Sequence, residues 1–324
     1  MITVDRLTKH YTVPVKQPGL RGTLTHLLQR QYRTITAVNE VSFAIESGEI
    51  VGFLGPNGAG KTTALKMLTG LIHPSGGQVQ VAGYVPFRRE PGFLRTITLV
   101  MGQKQQLLWD LPTMDSLRIN AAVYGLSDRE LRQRVGELAE MLALERQLSQ
   151  PVRKLSLGER MKAELLAALL HHPKVLFLDE PTLGLDVNAQ SSVRDFLREY
   201  NQHFKATVLL TSHYMADITA LCRRVLMIYK GQLIYDGSLD ALLERFSPCR
   251  EVTVELTAGY PASDLEPYGD LQSVDGHIAH FIVPQETLTQ TISKLLANFE
   301  IVDLTVTDPP IEDVIRRVFE AGTV

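Results

Sequence analysis

The chain has 324 residues, 44% hydrophobic and 21% charged, an ordinary globular composition with room for one large domain and a smaller one. A formal net charge of −3 excludes a global pull toward nucleic acid or an anionic membrane, so no nucleic-acid partner is expected. Its two cysteines, Cys222 and Cys249, have neither metal nor redox spacing, which excludes a disulfide framework and suits a reducing compartment.

The opening "MITVDRLTKHY" contains the strand pattern "ITVDRL" and carries charges where a signal peptide needs an apolar core. No uncharged apolar run approaches the ~20 residues that span a bilayer, so any membrane crossing is expected from another subunit. An inserted segment, about residues 12–31, follows. Within it "LRGTLTHLLQRQ", 20–31, sets Leu20, Leu24, Leu27 and Leu28 on one helical face, away from Arg21, His26 and Arg30. Such a helix packs on its own domain or lies near a membrane or permease, and both readings stay open.

After the strand pattern "VSFAI" and the buried strand "EIVGFL" comes Gly55-Pro56-Asn57-Gly58-Ala59-Gly60-Lys61-Thr62, with Thr63 next, opening the helix "TTALKMLTG". Gly55, Gly60, Lys61 and Thr62 fit G-x-x-x-x-G-K-[ST], in which backbone N–H groups wrap phosphates, the lysine pairs with the outer ones and the hydroxyl meets Mg²⁺. Glycine matters there because a Cβ would block the approach. A nucleotide and Mg²⁺ are therefore the expected ligands of this loop.

A helical block from about 113 to 172 interrupts the strand–helix alternation and contains the amphipathic "DRELRQRVGELAEMLAL". Two apolar runs follow, "KVLFLDE" and "ATVLLTSH", separated by the helical "VNAQSSVRDFLREYNQ". Alternation of this length implies a parallel sheet with covered faces. Asp179 and Glu180 at a strand end suit a site where the first carboxylate holds Mg²⁺ through water and the second polarises an attacking water. Their strand is expected to neighbour the one feeding the phosphate loop.

Composition shifts near 238. A linker helix over about 238–250 leads to a strand-strand-helix-strand-helix order in 251–324, enough for a small α+β domain. His277 and His280 there are read as structural.

Four further stretches complete a pattern: "MGQKQQ" with Gln103, "LSLGER" at 155–160, "LGLD" at 183–186 and "LLTSH" ending at His213. In order and spacing, residues 1–237 resemble the ATP-binding cassette (ABC) ATPase subunits. That resemblance implies an α/β fold of the P-loop NTPase type, with a mixed core sheet, flanking helices and a helical subdomain. It also implies roles. Gln103 would touch Mg²⁺ and the attacking water, and His213 would bond the γ-phosphate and steady the water beside Glu180. Asp186, Ser156 and Gly158 would reach ATP bound to a second protomer, so hydrolysis would need a homodimer or a paralogous heterodimer with two ATP molecules sandwiched between copies. The sequence departs from the family's LSGGQ at Leu157 and Glu159, and Glu159 is expected to bring a carboxylate near an anionic ligand. Adenine would stack on Tyr11 or Tyr32, of which Tyr11 has the right upstream context and Tyr32 the right spacing to the loop.

Resemblance also bears on the work done. The "LLWDLP" stretch, the "LSLGERMKAELLAALLHHPKVLFLDEPTLGLD" stretch and the small C-terminal domain resemble subunits of bacterial exporters for drugs and small hydrophobic cations. Trp109 would sit where a permease docks, or in the core. The chain would then be an ATPase at the cytoplasmic face of the membrane, peripheral through a separate transmembrane permease. A polysaccharide or glycolipid exporter, favoured by the insertion, an importer and a soluble ABC ATPase are the alternatives.

Overall fold

The computed structural model describes residues 1–14, 32–102, 105–246 and 249–321. The helix expected at 20–31, and Gln103, lie outside the described residues. The chain divides into two compact units, Met1–Ser238 and Leu239–Val324.

In the first unit the strands run β1 Ile2–Pro14, β2 Tyr32–Ile45, β3 Ile50–Leu54, β4 Gly76–Val81, β5 Ile97–Met101, β6 Val175–Asp179, β7 Thr207–Thr211, β8 Arg224–Tyr229 and β9 Gln232–Ser238. Its helices are α1 Lys61–Leu68, α2 Pro91–Thr96, α3 Thr113–Tyr124, α4 Asp128–Leu142, α5 Leu157–Leu169, α6 Val187–Phe204 and α7 Met215–Leu221. An antiparallel sheet has the order β2-β1-β4, and a second sheet the order β5-β6-β7-β3-β8-β9. In the second, β5, β6, β7, β3 and β8 are parallel and only β9 runs antiparallel, against β8. The sheet is thus mixed, as the resemblance implied. One expectation is corrected: β6 does not neighbour β3, because β7 lies between them.

Apolar runs such as Val175-Leu176-Phe177-Leu178 are buried throughout, as strands covered on both faces must be. Helix α4 illustrates how sequence dictates an element. Ser127 and Glu130 form a reciprocal capping box at its start, and Leu131, Val135, Leu138 and Leu142 recur on one buried face.

His171 ties the helical block to the sheet. Its ring stacks flat on Tyr124 at the end of α3, centroids 3.9 Å apart. Its Nε2 lies 3.1 Å from the Ile97 carbonyl on β5, so the neutral ring donates there. Burial, helped by the positive charge of Arg134, pulls its pKa down to about 4. The unfolded chain therefore takes up a proton near pH 6.5 that the fold refuses. Stability from this group is complete above that pH and is lost as pH falls toward 4, by about 3 kcal/mol in all. In urea titrations from pH 7.5 to 4.5, His171→Phe is expected to be less stable than wild type at the upper end and to have a shallower pH dependence. Parallel curves would refute this assignment.

In the second unit α8 Leu239–Phe246 leads into β10 Cys249–Leu256, α9 Ala262–Leu265, β11 Asp270–Asp275, β12 Ile278–Pro284, α10 Leu288–Asn298, β13 Ile301–Thr307 and α11 Ile311–Ala321. The sheet order is β11-β12-β10-β13, antiparallel throughout. From β10 to β13 this is the β-α-β-β-α-β arrangement of ferredoxin-like domains, around a core of Val252, Val254, Leu265, Phe281 and Leu295. Strand β11 and helix α9 are absent from the order expected from sequence. "DLQSVD" contains only Leu271 and Val274 as apolar residues and does not stand out as a strand.

Candidate functional site

The loop between β3 and α1 is shaped by what its glycines exclude. A Cβ on Gly55 would come within 2.4 Å of the Ile228 carbonyl oxygen, and one on Gly60, whose φ is 112°, within 2.4 Å of the Ala37 carbonyl oxygen. Only glycine fits either place. The resulting pocket is lined by Ala37, residues 56–63 and Glu180. Lys61 folds back over the loop, donating from Nζ to the carbonyls of Gly55 and Pro56. Burial lowers its pKa, against the raising pull of the Glu180 and Asp179 carboxylates.

Strand β6 brings its carboxylates to the same place although β7 intervenes, because all three strands end at one level. Thr62 donates from Oγ1 to Asp179 Oδ2 at 3.2 Å, and Thr211, at the end of β7, donates to Asp179 Oδ1 at 2.7 Å. A hydroxyl and a carboxylate thus converge beside the phosphate loop, a donor set of the hard oxygen type that suits Mg²⁺. Glu180 has a left-handed backbone, φ 56°, unusual for this residue type and a mark of functional sites. Its N–H is held by the carbonyl and hydroxyl oxygens of Thr211. Its Oε1 lies 2.9 Å from His213 Nε2. Loop, Asp179, Glu180 and His213 therefore come together from three separate stretches of sequence.

The remaining candidates lie at helix starts. Ser156 caps α5, and Glu159 turns back to accept from the Ser156 N–H at 2.9 Å and from Gln147 Nε2 at 2.8 Å. Those bonds lower the Glu159 pKa. Its carboxylate thus both caps its own helix and holds the segment carrying Gln147. A Cβ on Gly158 would sit 2.8 Å from the Ala189 Cβ, so this glycine also lets α5 and α6 approach. Asp186 caps α6 by accepting from the Ala189 N–H.

Tyr11 and Tyr32 both lie on the long β1–β2 ribbon, but on opposite faces. Tyr11 is paired with Ile35 and Tyr32 with Pro14, and an odd number of residues separates Tyr11 from Pro14 on β1. Ile35 is two positions from Ala37 at the phosphate loop, whereas Tyr32 is five positions from it, roughly 17 Å along the strand. Tyr11 therefore stands nearer the phosphate loop than Tyr32 does. Tyr11→Ala is expected to weaken nucleotide binding by about tenfold and Tyr32→Ala to leave it unchanged; titration with a fluorescent ATP analogue checks both.

Two buried carboxylates escaped the sequence reading. Asp217 on α7 is 1% exposed and accepts from Thr182, Ser212 and Arg194. It thereby ties the segment after Glu180 to the one before His213. Glu164, 4% exposed on α5, accepts from the N–H groups of Gln106 and Leu107, anchoring the segment just beyond Gln103. The signal was available: a lone acid in "KAELLAALL" or "ADITAL" sits amid apolar residues and needs internal donors.

The family described as "ABC transporter" matches residues 38–183, and an "EvrA-like ABC transporter, C-terminal domain" matches 248–307. The chain is 35% identical over 216 residues to the "ABC transporter ATP-binding protein NatA" of Bacillus subtilis, covering 67% of this chain and 87% of that one. It is 36% identical over 253 residues to "Nod factor export ATP-binding protein I" of Burkholderia thailandensis, covering 77% and 82%. Among solved structures, an "ATP binding subunit of ABC transporter" superposes with a TM-score of 0.61 at 26% identity, over 76% of this chain and 92% of that one. With a phosphate loop, two carboxylates and a histidine assembled in one place, these likenesses settle the family: the chain belongs to the ABC transporter ATP-binding proteins and is an ATPase.

Proposed function

We propose that this ATPase powers export of a small, drug-like molecule through a separate transmembrane permease, working as one of two cassettes that sandwich two ATP molecules. The observation that carries the permease is a groove of about 660 Å³ lined by Leu71, Leu94, Leu99, Met101, Val123 and Tyr124, among others. Leu71 is 51% and Val123 75% exposed, so an apolar partner segment has somewhere to bind. The groove lies beside Gln105 and Gln106, next to the segment that Glu164 anchors. Trp109, 46% exposed with the Arg160 guanidinium over its ring, extends an apolar surface rather than a core. No helix among the described residues is long and apolar enough to cross a membrane, which supports a crossing made by another chain at whose cytoplasmic face this one acts.

In this reading residues 1–237 are the motor and 251–324 an accessory domain joined by the 238–250 linker. The Thr62 hydroxyl and the Asp179 carboxylate hold Mg²⁺, with Gln103 as a further ligand, and the ion offsets phosphate charge. Glu180 orients the attacking water, and His213 exchanges its bond to Glu180 for the γ-phosphate. Ser156, Gly158 and Asp186 face the nucleotide of the second cassette. Export is favoured over import by the relative named for Nod factor export, and the polysaccharide or glycolipid cargo favoured by the inserted segment of the sequence is the second reading.

Affinity purification of tagged Glu180→Gln from detergent-solubilised membranes with ATP and Mg²⁺ tests the proposal. A polytopic membrane protein is expected to co-purify, and its sequence narrows the cargo. Recovery with ribosomes alone would overturn the transport reading.

A further inference from the structure

The sheet of the second unit has two edges, β11 and β13, and they differ in kind. Strand β11 begins and ends in aspartate, and its pairing slips between Leu271 and Ser273. Short acidic strands with irregular pairing are how proteins blunt a sheet edge. Strand β13, "IVDLTVT", is guarded less. Its pairing slips only at its start, between Ile301 and Asp303, and neither of its ends is acidic. It contains no lysine, arginine or proline, and one charge, Asp303. From Asp303 to Thr307 it pairs with β10 in unbroken register. Val302 is 62% and Val306 38% exposed. Among the described residues no strand pairs with its outer edge. A β-branched edge that is regular from Asp303 to Thr307 and left open in this way is a template for another strand.

We propose that β13 pairs antiparallel with β13 of a second copy of this chain, about a two-fold axis at Leu304, joining two four-stranded sheets into one of eight. The occupant follows from the strand's own sequence, which is self-complementary in that register. Leu304 faces Leu304 of the second copy, Val302 faces its Val306, and Asp303 faces its Thr305, whose hydroxyl can donate to the carboxylate. A shift that centres the pair on Asp303 sets two carboxylates opposite each other, which is unfavourable. A shift that centres it on Thr305 leaves Val302 opposite Asp308, which is already paired with Arg250. Self-pairing of this sort is the isologous contact that a two-fold dimer requires. One strand pair buries too little to hold a dimer alone at low concentration. Its effect is to raise the effective concentration of one cassette for the other before ATP closes them. The pairing goes beyond the cassette reading and does not require nucleotide.

The test uses the full chain with Cys249→Ser and two further variants, Asp303→Cys and Thr305→Cys, mixed without nucleotide under mild oxidation. Directly opposed strand residues lie within disulfide reach. The mixture is expected to give about ten times more linked dimer than either variant alone, with the 303–305 peptide pair identified by mass spectrometry. Equal yields from mixture and single variants, or no 303–305 link, would overturn the proposal. A parallel measurement keeps the two readings apart. ATP-dependent association of Glu180→Gln that survives Val302→Lys, in the absence of any 303–305 link, would leave the cassette sandwich standing and remove the β13 contact. The reverse pattern would do the opposite.

Discussion

Glu180→Gln is expected to lower ATP turnover by at least about a hundredfold while ATP binding stays intact, the range lost when a positioned general base is removed. The substitution is nearly isosteric, and the backbone that carries it is held independently of the side chain. The Glu180 N–H donates to both the carbonyl and the hydroxyl oxygen of Thr211, which holds the left-handed turn at this residue. The amide can keep the contact to His213 that Oε1 makes at 2.9 Å, but it cannot take a proton from water. Binding should be spared because phosphates are held by the loop and Lys61. Single-turnover hydrolysis alongside equilibrium binding separates the two effects. Equal loss of both would mean that Glu180 shapes the pocket instead.

Lys61→Ala should show the complementary pattern, with ATP affinity reduced by about a hundredfold, the equivalent of about 3 kcal/mol for a lost charge-assisted contact. Lys61 is only 8% exposed, and its ammonium donates to two loop carbonyls. In the proposed reading it exchanges them for phosphate oxygens on binding, and the charge already stands at the pocket rather than in solvent. The loop's conformation depends on Gly55 and Gly60 rather than on this side chain, so thermal unfolding of the variant should change little. Undiminished affinity in the same titration would show that backbone N–H groups carry phosphate recognition alone.

The site was legible in the sequence wherever function resides in contiguous residues. The phosphate loop, the Asp179-Glu180 pair at the end of an apolar run, and His213 each carry their chemistry in a few neighbouring positions. What spacing could not supply was arrangement across space. That β7 separates β6 from β3 is a property of the whole sheet, as is the link from Asp217 to two distant loops. Glu159 has local partners that its charge alone does not reveal: the capping box with Ser156 and the bond from Gln147 occupy its carboxylate. In the second unit β12 and β10 announced themselves by apolar alternation. Strand β11 did not, being an edge strand with one thinly apolar face.

In the proposed reading catalysis belongs to two cassettes closed over two nucleotides. The most direct test is to measure mass and bound nucleotide together for purified Glu180→Gln with ATP and Mg²⁺, by sedimentation and release of trapped ATP. A particle of two chains holding two ATP molecules, absent without nucleotide when β13 carries Val302→Lys, is the expected result. A single chain that retains ATP and, as wild type, hydrolyses it at the same rate at every dilution would contradict it.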